Sequence, residues 1–215
     1  MNYKEVIEAK YNREAWQQLL HDIFLNKVQF YNSTSEVKVN SRLAKSALYI
    51  GRISLSDGES LGIYEVELAD KVDIERNKRG IRDMLTKDWK DMGHAGAFMF
   101  CYRKNESVLR FSYVSETWGF NKKGDYDKLS TNTKRYTYLL GEGRGCRTAI
   151  EQFNALKDSK QSLSDVTAAF SVEALTKQFY KDLFDWYQWA VDPASGVYFP
   201  NNTSTEDDDR EDIET

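Results

Sequence analysis

Apolar residues recur along the chain with two different periods, and the change of period separates predicted helices from predicted strands. Residues 13–25 carry apolar side chains at helical spacing, and Asn12 is a suitable N-cap for that helix. Residues 46–55 and 61–68 are instead typical of strands. An Asp-Gly pair at 57–58 favours a tight hairpin turn between them. The first part of the chain therefore predicts a helix followed by a β-hairpin.

The pattern after the hairpin predicts a helix, an antiparallel pair of strands and a helical C-terminal region. The helix covers 74–89, and the strands cover 97–103 and 108–115 with a short link between them. The polar, glycine-containing stretch 116–133 predicts a long loop. The remaining predicted elements are a strand at 136–140 and helices at 147–157 and 172–191. This order indicates an α/β (α+β) fold, with a mixed sheet flanked by helices and a helical C-terminal region.

The composition excludes several classes of protein. The 215 residues are 40% hydrophobic and 30% charged, which excludes disorder over the whole length and allows one large or two small domains. No apolar run reaches the ~18 residues that a transmembrane helix needs, and the N-terminus lacks the apolar core of a signal peptide. The two cysteines have no CxxC spacing. We therefore expect a cytoplasmic protein without a membrane partner.

The net charge of −4 conceals an acidic segment near the C-terminus. Residues 206–214 contain seven acids and one arginine, so this segment carries −6 and the rest of the chain +2. A mildly basic body permits a nucleic-acid partner without requiring one. We expect an α/β core at 1–145, a helical extension of the same domain at 146–192, and a linker with an acidic tail at 193–215.

Two glutamates on the second predicted strand are candidates for metal chemistry. Glu65 and Glu67 are two residues apart, so they point to the same face of the strand. Carboxylates at this spacing can hold Mg²⁺ through oxygen ligands, and Asp57 in the preceding turn is a candidate third acid. An acid, then Glu-x-Glu on the next strand, then a helix is the order used by metal-dependent nucleases. The alternative is a solvated strand face, with Asp57 as an ordinary turn residue.

Basic residues cluster where the helix at 74–89 is predicted to begin. The cluster consists of Arg76, Lys78, Arg79 and Arg82. Cations near a helix N-terminus oppose the helix dipole, and this local cost favours an anionic partner such as phosphate. A solvated helix face with i,i+4 ion pairs is the alternative.

Six segments, taken in order, resemble the N-terminal region of type IIG/IIS-like restriction–modification fusion proteins. In these proteins a nuclease-like region precedes an N6-adenine DNA methyltransferase. The segments are IYEVEL (63–68), ERNKRGIRDML (75–85), LRFSYVS (109–115), KRYTYLLGEG (134–143), CRTAIEQF (146–153) and FSVEALTKQFYKDL (170–183). The resemblance implies a PD-(D/E)xK nuclease core that binds double-stranded DNA, uses Mg²⁺, and is followed in the parent chain by a methyltransferase domain.

The chain departs from the family pattern at three points. Glu67 stands where the motif usually has lysine, the gap from Asp57 to Glu65 is short, and no Asn-Pro-Pro-Tyr methyltransferase motif is present. The leading hypothesis is a Mg²⁺-dependent endonuclease domain of a restriction–modification enzyme. In it, Asp57, Glu65 and Glu67 are catalytic residues and metal ligands, and the basic cluster binds DNA. The alternatives are a non-catalytic DNA-binding or scaffolding module of the same parent, and a plain protein-interaction domain.

The last predicted helix has an apolar arc wider than one side. Phe184 and Tyr187 lie beside its main apolar stripe, and an arc of that width usually contacts more than one neighbour. We therefore expect an aromatic patch near these two residues that a downstream domain of the parent chain covers and that is exposed here, with self-association as a consequence.

Overall fold

The computed structural model describes residues 2–76, 78–120, 126–130 and 136–196. The chain divides into two compact units, residues 1–174 and 175–215. The first unit contains the sheet and all but one of the described α-helices, and the second contains most of the last helix. Among the described helices, none is long and apolar enough to cross a membrane.

A mixed sheet of seven strands, counted over the described residues, forms the centre of the first unit. The strands are β1 (Val28–Glu36), β2 (Ala44–Ser54), β3 (Ser60–Leu68), β4 (Gly96–Tyr102), β5 (Leu109–Phe120), β6 (Tyr126–Ser130) and β7 (Thr137–Leu140). The spatial order is β1-β2-β3-β4-β5, and both β6 and β7 pair with β5. Only the β3–β4 pairing is parallel among these strands. A parallel pair needs a crossover connection, which α3 (Lys78–Asp91) provides.

Helices cover both faces of the sheet. One face is covered by α1 (Tyr3–Glu8), α2 (Arg13–Phe24), α4 (Arg147–Asp158) and α5 (Leu163–Phe170). On that face Trp16 of α2 packs on Phe100 and Phe111 at centroid distances of 5.1 and 5.2 Å. On the opposite face, Ile81 and Trp89 of α3 belong to a separate apolar cluster. The mixed sheet flanked by helices is thus confirmed.

The central strand β3 is buried on both faces, from Leu61 to Leu68. Strands in this position normally consist almost entirely of apolar residues. Glu65 and Glu67 are exceptions. The alternative interpretation of the sequence, in which they lie on a solvated strand face, is wrong because both side chains are buried. Their environment therefore has to compensate for the burial of two carboxylates.

Most helices and strands that the sequence predicts are present, and two predictions are wrong. The stretch 116–133 is not a loop throughout, because β5 continues to Phe120 and pairs with β6. The helix predicted from residue 74 begins at Lys78, because the carbonyl oxygens of Ile74 and Arg76 accept hydrogen bonds from the Arg110 side chain. Periodicity also missed α1, β1 and α5, which are short or rich in polar residues.

Candidate functional site

Glu65 is a buried carboxylate whose two oxygens are both hydrogen-bonded by the N-terminal segment. Its exposed fraction is 2%. Arg13 donates from Nε to Oε1 at 2.7 Å and from Nη2 to Oε2, and the Tyr11 hydroxyl also donates to Oε1. This bidentate geometry is the strong form of an arginine–carboxylate pair. The charge of Glu65 is therefore balanced from within the chain.

Tyr11 and Arg13 reach Glu65 because of their positions at the start of α2. Asn12, between them, caps the helix by accepting a hydrogen bond from the Ala15 N–H at 2.9 Å. The Tyr11 ring lies against Phe100 and Tyr102, with centroid distances of 5.5 and 4.7 Å. Burial, and next the negative charge of Glu65, raise the pKa of Tyr11 well above its ordinary value. Tyr11 is therefore a fixed hydrogen-bond donor.

Glu67 lies near two lysines from other elements of the fold. The Nζ of Lys104, in the β4–β5 turn, is 3.1 Å from Oε2, and the Nζ of Lys45, on β2, is 3.9 Å from Oε1. Lys45 also pairs with Asp70 at 2.6 Å. The fold thus brings two lysines to Glu67. The local sequence around Glu67 could not predict these two lysines, because their positions depend on how the strands pair.

Asp57 lies at the other end of β3 from the two glutamates. Its Oδ2 accepts a hydrogen bond from the Leu163 N–H at 2.8 Å, which satisfies the first amide of α5. Strand residues rise about 3.3 Å each, so β3 places Glu65 about 16 Å beyond the first residue of the strand, Ser60. The structure thus brings Glu65 and Glu67 together and leaves Asp57 apart from them.

The donor set around Glu65 does not fit a Mg²⁺ ion. Mg²⁺ needs free carboxylate oxygens in near-octahedral geometry, whereas both oxygens of Glu65 bind Arg13 and Tyr11. Within the part of the chain that the structure describes, no three His, Cys, Asp or Glu side chains form a group that could hold a metal.

The predicted basic cluster does not form one helix face. Arg76 precedes α3, is 82% exposed, and has its Nε 3.3 Å from Asp73. Arg79 is exposed on the first turn, and the side chain of Lys78 lies outside the described residues. Arg82 is only 20% exposed and binds Asp83 through Nε and Nη2. Arg82 is therefore held against the protein, whereas Arg76 and Arg79 face solvent.

Two further arginines, which the sequence did not single out, hold the segment that carries Arg76. Arg110 is fully buried and donates from Nη1 to the carbonyls of Ile74 and Arg76, at 2.8 and 2.9 Å. Arg103 donates to the carbonyl of Val72. Because these arginines lie at the end of β4 and the start of β5, Arg76 lies at the same end of the sheet as Glu67. We call the exposed cations at this end the basic rim, which consists of Lys45, Arg76, Arg79 and Lys104.

A second polar cluster surrounds His94 at the opposite end of the sheet. His94 is nearly buried, with Nε2 3.0 Å from the Tyr49 hydroxyl and Nδ1 2.8 Å from the Ser60 hydroxyl. Tyr64 donates to Asp88 nearby, at 2.7 Å. Burial, followed by the charge of Arg52, lowers the pKa of His94. Both ring nitrogens are satisfied by the neutral imidazole, which indicates a structural network.

Comparison with known proteins adds no assignment to this geometry. No protein-family model, no curated protein and no solved structure matches the chain.

Proposed function

We propose that this chain is a DNA-binding module on a nuclease-like core, which contacts the phosphate backbone through the basic rim and does not cleave it. The observation that carries the proposal is the grouping of exposed cations at one end of the sheet. Lys104 is 72% exposed there, Arg76 is 82% exposed and Lys45 is 46% exposed. Sequence-independent affinity for DNA comes mainly from such contacts with phosphates.

The acids near the rim are compatible with a phosphate partner. Lys45 pairs with Asp70, and Arg76 pairs with Asp73, but these pairs lie at the surface. Exposed ion pairs are worth little, about 0–1 kcal/mol. A phosphate group, which accepts charge-assisted hydrogen bonds, can therefore replace the aspartates at small cost.

The order of elements supports the nuclease-like identity of the core. The resemblance to the restriction–modification family implies a helix, a hairpin that carries acids, a second helix and a further strand. The chain has α2, the β2–β3 hairpin with Glu65 and Glu67, then α3 and β4. The strand pairings are antiparallel for β2–β3 and parallel for β3–β4. The coarse architecture thus agrees with the family that the sequence resembles.

The arrangement of the carboxylates favours binding without cleavage. Arg13 neutralises Glu65, to which Tyr11 also donates a hydrogen bond, and Asp57 binds the start of α5 at the far end of β3. A metal-dependent hydrolase needs open coordination positions to activate water. In this proposal β3 keeps the acids of a nuclease strand. Arg13, however, binds the Glu65 carboxylate that would otherwise bind metal.

Binding of the full chain to duplex DNA, followed by fluorescence anisotropy over a series of salt concentrations, tests the proposal. We expect log K to fall linearly with log salt concentration, and Arg76→Ala with Arg79→Ala to lower the slope by roughly two. Lys87→Ala, which removes a charge from the exposed middle of α3, is the matched control and should leave the slope unchanged. Absence of binding, or equal slopes in all variants, would refute the proposal.

DNA cleavage is the second candidate, and the position of Lys104 favours it. Its Nζ lies 3.1 Å from Glu67, the position at which the resemblance implies a lysine. A plasmid-nicking assay with Mg²⁺ or Mn²⁺ separates the two candidates. Nicking by the wild type that is lost in Lys104→Ala and Glu67→Gln would establish cleavage. If the chain binds DNA and the plasmid stays intact, the non-cleaving module is supported.

A further inference from the structure

The last helix, α6 (Val172–Val191), exposes large apolar side chains to solvent. They are between 40% and 62% exposed, and they are Phe179, Tyr180, Leu183, Phe184, Trp186, Trp189 and Val191. Phe184 is thus exposed, as the sequence predicts, whereas Tyr187 is half-buried. Scattered exposed apolar residues are ordinary, but a contiguous group on one helix indicates an interaction surface.

Six of these residues lie on one side of the helix. At 100° per residue, all except Trp189 fall within an arc of about 160°, which also contains the half-buried Tyr187 and the buried Ala190. We call this arc the aromatic face. Its residues are Phe179, Tyr180, Leu183, Phe184, Trp186 and Val191. Lys181 and Asp185 lie on the other side of the helix and are exposed.

The charges on α6 argue against a lipid or nucleic-acid partner. Over the exposed part of the helix, Lys181 is outnumbered by Asp182 and Asp185. Helices that lie on anionic membranes carry lysine and arginine on the polar face, and nucleic-acid surfaces are likewise basic. The aromatic face is therefore suited to another apolar protein surface.

The exposed area of the face supplies most of the apolar surface that a homodimer interface needs. Four aromatic residues of about 200 Å² each, more than half exposed, together with Leu183 and Val191, give about 600 Å² of apolar surface. A standard interface buries about 800 Å² per partner, and homodimer interfaces are more apolar than average. The face thus supplies about three quarters of the area that one partner of a standard interface buries.

We infer that the aromatic face of α6 binds the same face of a second copy of this chain in a two-fold symmetric dimer. In an isologous contact one surface serves both partners, and each aromatic side chain then meets an apolar surface of the same composition. Phe179 and Tyr180, which already contact each other edge to face at 5.7 Å, are placed to extend that packing to the partner copy.

Sedimentation velocity of the full chain, from about 1 to 200 µM, measures the predicted association. We expect the mass to rise with concentration from 25.0 kDa towards twice that value. Phe179→Ser with Phe184→Ser should raise the dissociation constant at least about tenfold, since buried aromatics dominate such interfaces. Lys181→Ser, on the other side of the same helix, is the matched control and should leave the constant unchanged.

Circular dichroism of each variant checks that the helix content is retained. If the double variant loses helix, the dissociation constant of the single variant Tyr180→Ser is measured instead and should also rise. A wild-type chain that remains monomeric throughout the range overturns the inference. So does a Lys181→Ser variant that dissociates as readily as the aromatic double variant, because the contact would then not depend on the aromatic face.

Discussion

At the scale of single residues, the pairing of Glu65 shows how a side chain typical of metal sites can serve the fold instead. Its partners Tyr11 and Arg13 are 54 and 52 residues away in sequence. Their hydrogen bonds connect the start of α2 to the centre of the sheet. A buried carboxylate without such partners would be costly, so the three side chains depend on one another.

Removal of Arg13 should therefore destabilise the protein. We expect Arg13→Ala to lower the free energy of unfolding by about 2–3 kcal/mol, because it leaves the buried Glu65 charge without its cation. Adding Glu65→Gln should restore part of that loss, since the amide is neutral and still accepts from Tyr11. Urea unfolding of the wild type, both single variants and the double variant measures the coupling. A double variant no more stable than Arg13→Ala alone would contradict this account.

At the scale of elements, the β2–β3 turn serves as an anchor for α5. Asp57 accepts the Leu163 N–H at 2.8 Å, while Ser162 and Asp165 form a capping box at the same helix terminus. The turn and the helix are more than 100 residues apart in sequence. The acid that the sequence offers as a third metal ligand thus completes the N-terminal hydrogen bonds of a helix.

The Asp57→Ala variant should lose about 1 kcal/mol of stability, as expected when an acceptor at a helix N-terminus is removed. Asp57→Asn keeps an acceptor oxygen and should retain most of that stability. Thermal or urea unfolding compares the variants, and DNA affinity should be the same in all three proteins because Asp57 is remote from the basic rim. If Asp57→Ala selectively lost DNA binding or nicking, this prediction would be wrong and Asp57 would belong to the functional site.

At the scale of the whole molecule, the His94 network makes stability depend on pH. The groups around the imidazole are Tyr49, Ser60, Arg52 and Asp88. Burial and Arg52 lower its pKa below 6.5, while Asp88 acts in the opposite direction. Below pH 6.5 the unfolded chain therefore binds more protons at His94 than the folded chain does. The free energy of unfolding consequently falls as the pH falls through this range.

Urea midpoints at pH 7.5 and pH 5.5 should show this loss, with the lower midpoint at pH 5.5. His94→Gln keeps a hydrogen-bonding side chain without a titrating group, so its midpoints should differ less between the two pH values. The aspartates with lowered pKa, Asp22, Asp70 and Asp165, lose their contributions only at more acidic pH. An equal pH dependence in His94→Gln and the wild type would show that His94 is not the cause.

The local pattern of the sequence determined much of the secondary structure. The helical spacing after Asn12 and the Asp-Gly turn at 57–58 correspond to α2 and to the β2–β3 hairpin. These features depend on residues close in sequence, where periodicity and capping act directly. Arg110 was not singled out, because its acceptors are carbonyl groups 34 and 36 residues away. For the same reason, the sequence pattern predicts the start of α3 four residues too early.

By itself, the sequence determined that Glu65 and Glu67 share a strand face and that Phe184 belongs to a wide apolar arc. Only the tertiary structure decided that Arg13 and Tyr11 bind Glu65, that Lys104 lies beside Glu67, and that Asp57 lies at the far end of the strand. The physical reason is that the two-residue period of a strand follows from local backbone geometry, whereas the partner of a buried charge is set by which distant segments pack together.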